Sequence, residues 1–159
     1  MVSLYGATFA VSLLMIAVYF FIDKKHDKWL LLLFTSVAVC DMGYFLLSVS
    51  KTLECALWAN RVAYLGNVFL PFFLLMMIMN LSRLEYHKFL PRILVAVNTI
   101  MLLITCSGGV LPIYYKDVSF VITDGIGSLV KTYGPLHICY KFYLFAYFGA
   151  MVGIIIYTM

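Results

Sequence analysis

Asp41 is the residue whose type and place most demand a chemical explanation. It interrupts the apolar run from Trp29 to Val49. A carboxylate at the centre of a membrane-spanning helix costs about 2.5–3.5 kcal/mol even on the mild insertion scale, so it has to face other helices and be paired or protonated. Two later apolar runs offer partners. Asn60, Tyr64, Asn67 and Pro71 are spaced i, i+4, i+7 and i+11, which lays them on one stripe of a helix. His137, Tyr140 and Lys141 share one flank of another helix near its outer end. Counted from the helix ends, Asn67 and Lys141 lie at a depth similar to that of Asp41, which is roughly 18 Å into its own span. These positions predict an outward-opening polar cavity lined by Asp41, Tyr64, Asn67, Tyr140 and Lys141, able to take a ligand or a proton. The alternative is that Asp41 and Asn67 glue two helices together while Lys141 snorkels to the interface.

Other chemistry has little support. Cys40, Cys55, Cys106 and Cys139 show no CxxC or Cys/His spacing, so no metal centre is expected, and free thiols are expected over a Cys106–Cys139 disulfide. His26 and His87 sit in charged turns and read as solvated. There is no glycine-rich phosphate loop, HExxH or nucleophile elbow, so the chain is expected to be neither an enzyme nor a cofactor carrier. The net charge of +4 is explained by topology signals and anionic headgroups without nucleic acid.

The elements that position these residues follow from composition. Of 159 residues, 65% are hydrophobic and 11% charged, against about 25% charged in a soluble domain, which excludes a water-soluble globule. A bilayer core about 30 Å thick needs roughly 20 apolar residues per helix. The sequence accordingly reads as an all-α membrane protein, one polytopic domain over 1–159 with five transmembrane helices near 2–22, 29–49, 60–80, 92–107 and 135–158. The uncharged N-terminus, with its basic cluster after the first run, does not fit a cleaved signal peptide. Between the fourth and fifth spans, SFVITDGIGSLVKTY places Asp124-Gly125 between β-branched and aromatic residues, the signal of a β-hairpin. It belongs outside the hydrocarbon, where strand edges can be solvated.

Orientation follows from Lys and Arg in the connections. Lys24, Lys25, Lys28, Arg83, Lys88 and Arg92 follow spans one and three, against Lys51, Arg61, Lys116 and Lys131 on the other side. The positive-inside rule then puts the N-terminus and the hairpin outside the cytoplasm. Trp29, and on the opposite side Trp58, Tyr114 and Tyr115, read as interface belts. Tyr133, Tyr140 and Tyr147, seven apart, read as packing on helix five. Small residues at helical spacing, namely Ser36, Cys40 and Gly43, Gly6 and Ala10, and the GxxxG pair Gly149 and Gly153, read as close helix contacts, the last with a dimer as the alternative.

WANRVAYLGNVFLPFFLLMMI, from Trp58 to Ile78, resembles the third helix of the N-terminal seven-helix sensor region of bacterial histidine kinases, also found on some diguanylate cyclases. YGPLHICYKFYLFAYFGAMVGI, from Tyr133, is similar to its fifth helix. Trp58, Arg61, Tyr64, Leu65, Gly66 and Pro71 match the first pattern, and Tyr133, Gly134 and Pro135 the second. The resemblance implies a bacterial cell-membrane receptor, part of a two-component system. It would receive a small-molecule or peptide signal and pass it to a cytoplasmic module, with homodimerisation through the full-length protein. It also implies that this chain is a fragment cut after the fifth helix, as does GAMVGIIIYTM ending within an apolar run. Pro71 is expected to loosen helix three, and Gly66 to permit close contact. The competing expectation is a small multi-pass transporter or channel subunit in which Asp41 and Lys141 line a permeation route; a third is a structural membrane subunit.

Overall fold

A computed structural model of the chain describes residues 2–22 and 27–158. The charged cluster of Asp23, Lys24, Lys25 and His26, expected to end the first span, lies outside the described residues. The order of elements is α1 (Val2–Ile22), α2 (Lys28–Val49), α3 (Leu53–Leu81), α4 (Leu90–Cys106), β1 (Tyr115–Thr123), β2 (Ile126–Tyr133) and α5 (His137–Thr158). Helices α1, α2, α3 and α5 are long and apolar enough to cross a membrane by length and composition, whereas α4 has 17 residues. That is the lower limit for a span.

Two boundaries differ from the sequence reading. Helix α3 begins at Leu53, not near residue 60, because Thr52 caps it by accepting the Cys55 amide at 3.3 Å and Glu54 stands in its first turn. The polar residues Asn60 and Arg61, which suggested a connection, are helical and satisfied by other parts of the chain. Tyr133, expected on helix five, is the last residue of β2, paired with Tyr115. Helix α5 starts only after Gly134 and Pro135, where the Gly134 amide donates to Tyr114 O at 2.8 Å. With 29 residues, α3 extends about 43 Å at 1.5 Å per residue, well beyond the hydrocarbon thickness.

Helix α3 is the hub. It packs against α2, α4, α5 and both strands, while α1 packs on α2 and α5 has its main contact with α3. The α2–α3 contact is backbone to backbone. A Cβ on Gly43 would lie 2.2 Å from Ala63 N, and one on Gly66 would lie 2.4 Å from Ser36 O and 2.5 Å from Cys40 N. No residue but glycine fits at either point, and the stripe of Ser36, Cys40 and Gly43 is buried there as its spacing suggested. Aromatic contacts seat α1, with Phe9 stacked on Phe45 and Tyr19 edge-on to Phe34. By contrast, a Cβ added to Gly149 or Gly153 on α5 would meet nothing within 4 Å among the described residues.

The hairpin turns through Asp124 and Gly125, both with positive φ (53° and 76°), the geometry of a two-residue type I′ loop matched to strand twist. Alternation along β2 turns Gly127, Leu129 and Lys131 inward. Gly127 rests on the carbonyls of Leu47 and Ser50 at the end of α2. The hairpin therefore covers the end of the bundle where α2 stops and α3 starts, and carries one lysine toward α3.

Gly66→Ala should destabilise the protein by about 1–3 kcal/mol through backbone collision, whereas Gly149→Ala should stay within about 0.5 kcal/mol. Thermal unfolding of the two variants in detergent reads the contrast; equal losses would contradict the packing described.

Candidate functional site

The densest polar group lies where the hairpin meets α3. Asn60, 4% exposed, accepts a hydrogen bond at Oδ1 from Lys131 Nζ at 2.7 Å, and its Nδ2 donates to the Tyr115 hydroxyl at 3.4 Å. Tyr115 in turn donates to the Tyr64 hydroxyl oxygen at 2.7 Å, and Tyr114 donates to the same oxygen at 3.2 Å. The Lys131 ammonium lies 5.2 Å from the Tyr115 ring centroid and 5.8 Å from that of Tyr64, within cation–π range. Edge-on contacts link Tyr64 to Tyr114 at 5.7 Å and to Tyr140 of α5 at 6.0 Å. Tyr114 also meets His137, which stacks on Tyr133 at 3.8 Å. Three elements thus converge: α3 supplies Asn60 and Tyr64, the hairpin and the loop before it supply Lys131, Tyr114, Tyr115 and Tyr133, and α5 supplies His137 and Tyr140.

Electrostatics in this group are set by dehydration. Burial lowers Lys131 from its ordinary value of 10.5 to about 8. No carboxylate among the described residues pairs with it to offset that cost. Burial likewise pushes the Tyr114 and Tyr115 phenols above their ordinary range, so both stay protonated donors at neutral pH.

One turn deeper, Asn67 accepts from Cys40 Sγ at 3.2 Å and donates to the Tyr44 hydroxyl at 3.2 Å. Pro71 lacks the amide hydrogen that would bond the Asn67 carbonyl, so this residue also carries a loosened helix hydrogen bond. Deeper still, Asn98 of α4 is fully buried between helices. Its Nδ2 donates to Tyr147 at 2.7 Å and to Leu94 O at 2.6 Å. The Tyr143 hydroxyl sits between Asn98 Oδ1 and Val68 O, 2.5 Å from the latter. Tyr140, Tyr143 and Tyr147 form one ladder down α5, with successive ring centroids 5.9 and 5.0 Å apart. Beside it an apolar groove of about 500 Å³ opens between α4 and α5, lined by Leu94, Val97, Met101, Phe142 and Ala146 among others.

Of the five residues expected to line a cavity, Tyr64 and Tyr140 meet directly and Asn67 joins α2 just beneath them. Asp41 does not enter this group. It is half-buried on the face of α2 that carries Phe34 and Phe45, the residues that pack on α1, and it makes no hydrogen bond among the described residues. Cys40, its neighbour in sequence, is the residue that reaches Asn67. Lys141 is exposed beside Leu144, Phe145 and Phe148, about 100° around α5 from the tyrosine ladder.

Residues 4–159 match the family described as the N-terminal 7TM region of histidine kinase. The chain belongs to this family. No curated protein and no solved structure matches it. Membership, with the apolar helices, makes this a multi-pass membrane region of the sensory-input type rather than a catalytic one. The residues that carried the resemblance hold the hairpin end of this sensor region together. Arg61 lies over the Trp58 ring at 4.7 Å and donates from Nε to Cys106 O at 3.2 Å, tying α3 to the end of α4. Gly66 admits α2, and Pro71 is buried within α3. A Cβ on Gly134 would lie 2.4 Å from Ile113 O, and Pro135 follows it in the turn into α5.

Lys131, Asn98, Tyr114, Tyr115 and Tyr143 were not legible as site residues. Lys131 counted only as a topology charge, although strand alternation from Gly127 marks it as inward-facing. Asn98, eight residues after the start of an otherwise apolar α4, carried a readable signal. Tyr114 and Tyr115 looked like interface residues because their burial depends on the hairpin folding back.

A lysine whose docked pKa is lowered favours docking as pH rises from about 8 toward 10.5, because the cost of burying the charge disappears over that window. Tyr64 and Tyr115 are the titratable groups facing it, and burial raises the Tyr115 phenol so that it stays neutral there. Hairpin amide protection, corrected for intrinsic exchange, should rise over this window in the native protein and stay flat in Lys131→Met. An equal rise in both would contradict the assignment.

Proposed function

We propose that this chain is the membrane-embedded sensory input region of a bacterial signal-transduction protein, coupled to a cytoplasmic histidine kinase or diguanylate cyclase module. The family match over residues 4–159 carries this reading. It is supported by the joining of hairpin, α3 and α5 in one polar group, since an input region must convert an event at one end into movement of a helix. In this reading five helices cross the membrane, α4 included, with the N-terminus and the hairpin outside the cytoplasm. The basic residues that follow the first and third spans, six against four on the hairpin side, support that orientation.

The signal is a small molecule or peptide acting from outside or from the membrane. It bears on the region of Tyr64, Asn67 and Tyr140; Asp41 and Lys141, turned to other faces of α2 and α5, lie outside it. Displacing Tyr64 moves Tyr140, and the ladder through Tyr143 and Tyr147 to Asn98 passes the shift down α5. A ligand does this only if it binds the two helix arrangements with different affinity. Gly149 and Gly153, open on α5, are available for a homodimer contact. A transporter or channel reading gains nothing from the placement of Asp41 and Lys141, which share no cluster.

In the intact signalling protein, Tyr64→Phe and Asn67→Ala should each cut the output response at least about tenfold, equivalent to about 1.4 kcal/mol of coupling, with unchanged membrane insertion. A reporter assay beside a quantitative membrane blot checks this; full response in both variants would refute the site. A reporter enzyme active only outside the cytoplasm, inserted at Asp124-Gly125, should be active.

A further inference from the structure

Hydrogen-bond donors and acceptors beneath the hairpin do not balance. The Lys131 ammonium has three N–H groups and Asn60 Oδ1 takes one, leaving the others to the faces of Tyr64 and Tyr115. The hydroxyls of Tyr64, Tyr114 and Tyr115 share two hydrogen bonds among three O–H donors, so one O–H of the three has no acceptor among the described residues. His137 Nδ1, in the same ring cluster, is buried without a partner among them. Every charged or unspent group here is a donor or can become one, and the acidic residues nearest in sequence, Asp117 and Asp124, are exposed and make no ion pair with Lys131. A half-buried cation with surplus donors and no carboxylate partner among the described residues is chemically matched to an acceptor-rich anion.

We propose that the polar group where the hairpin meets α3 is an oxyanion site, taking a carboxylate or phosphate group against Lys131 Nζ and the unspent hydroxyl of the tyrosine group around Tyr64. Such a group supplies both the missing charge and the missing acceptors, and charge-assisted bonds to it are the strong kind. Asn60 acts as the positioning residue, holding the ammonium toward the tyrosines from 2.7 Å. This deepens the sensory reading by naming the ligand chemistry, and rests on that reading only for its biological consequence. Two sources present the same chemistry: a soluble acid and an anionic lipid headgroup from the leaflet on the hairpin side.

The test uses the full chain in an uncharged maltoside detergent, with the apparent pKa of Lys131 read by competitive amine labelling and mass spectrometry. Acetate, inorganic phosphate and a short-chain phosphatidylglycerol are added separately. The expected result is a rise from about 8 by at least about one unit, read as roughly fivefold slower labelling near pH 8. A rise with acetate or phosphate assigns a soluble acid; a rise with phosphatidylglycerol alone assigns the headgroup. Tyr64→Phe should reduce the rise, and Lys131→Arg should keep both hairpin protection and its increase on adding anion. Lys131→Met should lose that increase. No rise with any of the three probes, or an undiminished anion effect on hairpin protection in Lys131→Met, overturns the proposal. The binding assay involves no output module, so its failure leaves the sensory reading standing, and loss of the sensory reading would leave a measured anion site intact.

Discussion

Hydrocarbon offers no hydrogen bonds, and a polar side chain surrounded by it must find its partner on another part of the same protein. The arrangement of this chain follows from that constraint acting on α3. Asn60, Tyr64 and Asn67 stand on one stripe, and each draws a different element against the helix: the hairpin through Lys131 and Tyr115, the loop through Tyr114, and α2 through Cys40 and Tyr44. Lower down, the Val68 carbonyl and Asn98 do the same for α5 and α4. Apolar contact cannot choose among helices in lipid, because the lipid is as apolar as the side chains. Polar pairs and close backbone approach at Gly43 and Gly66 make the choice instead.

Legibility in the sequence tracks the physical origin of each feature. Span lengths depend on local hydrophobicity, so α1 and α2 were readable to within a residue or so. The hairpin was readable because Asp124-Gly125 is a local conformational demand. The stripe on α3 followed from helical period alone. What failed was inference across elements. Depth along a helix says nothing about rotation around it, and Lys141 lies on the open side of α5 while Tyr140 beside it faces α3. The cation of the polar group comes from Lys131, because a strand folded back over the helix ends brings a residue that hydropathy assigns to solvent against Asn60 of α3. The same foldback buries Tyr114 and Tyr115. Hydropathy also makes α3 too short, because it treats Asn60 and Arg61 as solvated when both have partners within the protein.

Helix α5 has its principal contact with α3, along one face of tyrosines, and much of its remaining surface is apolar and open. A helix held by a single seam of aromatic rings and hydrogen bonds can shift as a body when the top of the seam is disturbed, as small slides between packed helices do in switching proteins. The top of that seam is Tyr64, which the hairpin controls through Tyr114 and Tyr115. The α2–α3 contact is too close for such sliding, which leaves α5 as the helix with room to shift.

The central claim is that the polar stripe of α3 joins the hairpin to α5. Amide hydrogen exchange across the whole chain in lipid bilayers, comparing the native protein with Asn60→Leu, tests it most directly. Removing the acceptor of Lys131 should speed exchange both in the hairpin, 115–133, and in the first turns of α5, 137–143, while α1 stays unchanged. Faster exchange confined to the turn of α3 around residue 60, with the hairpin and α5 unaffected, would contradict it.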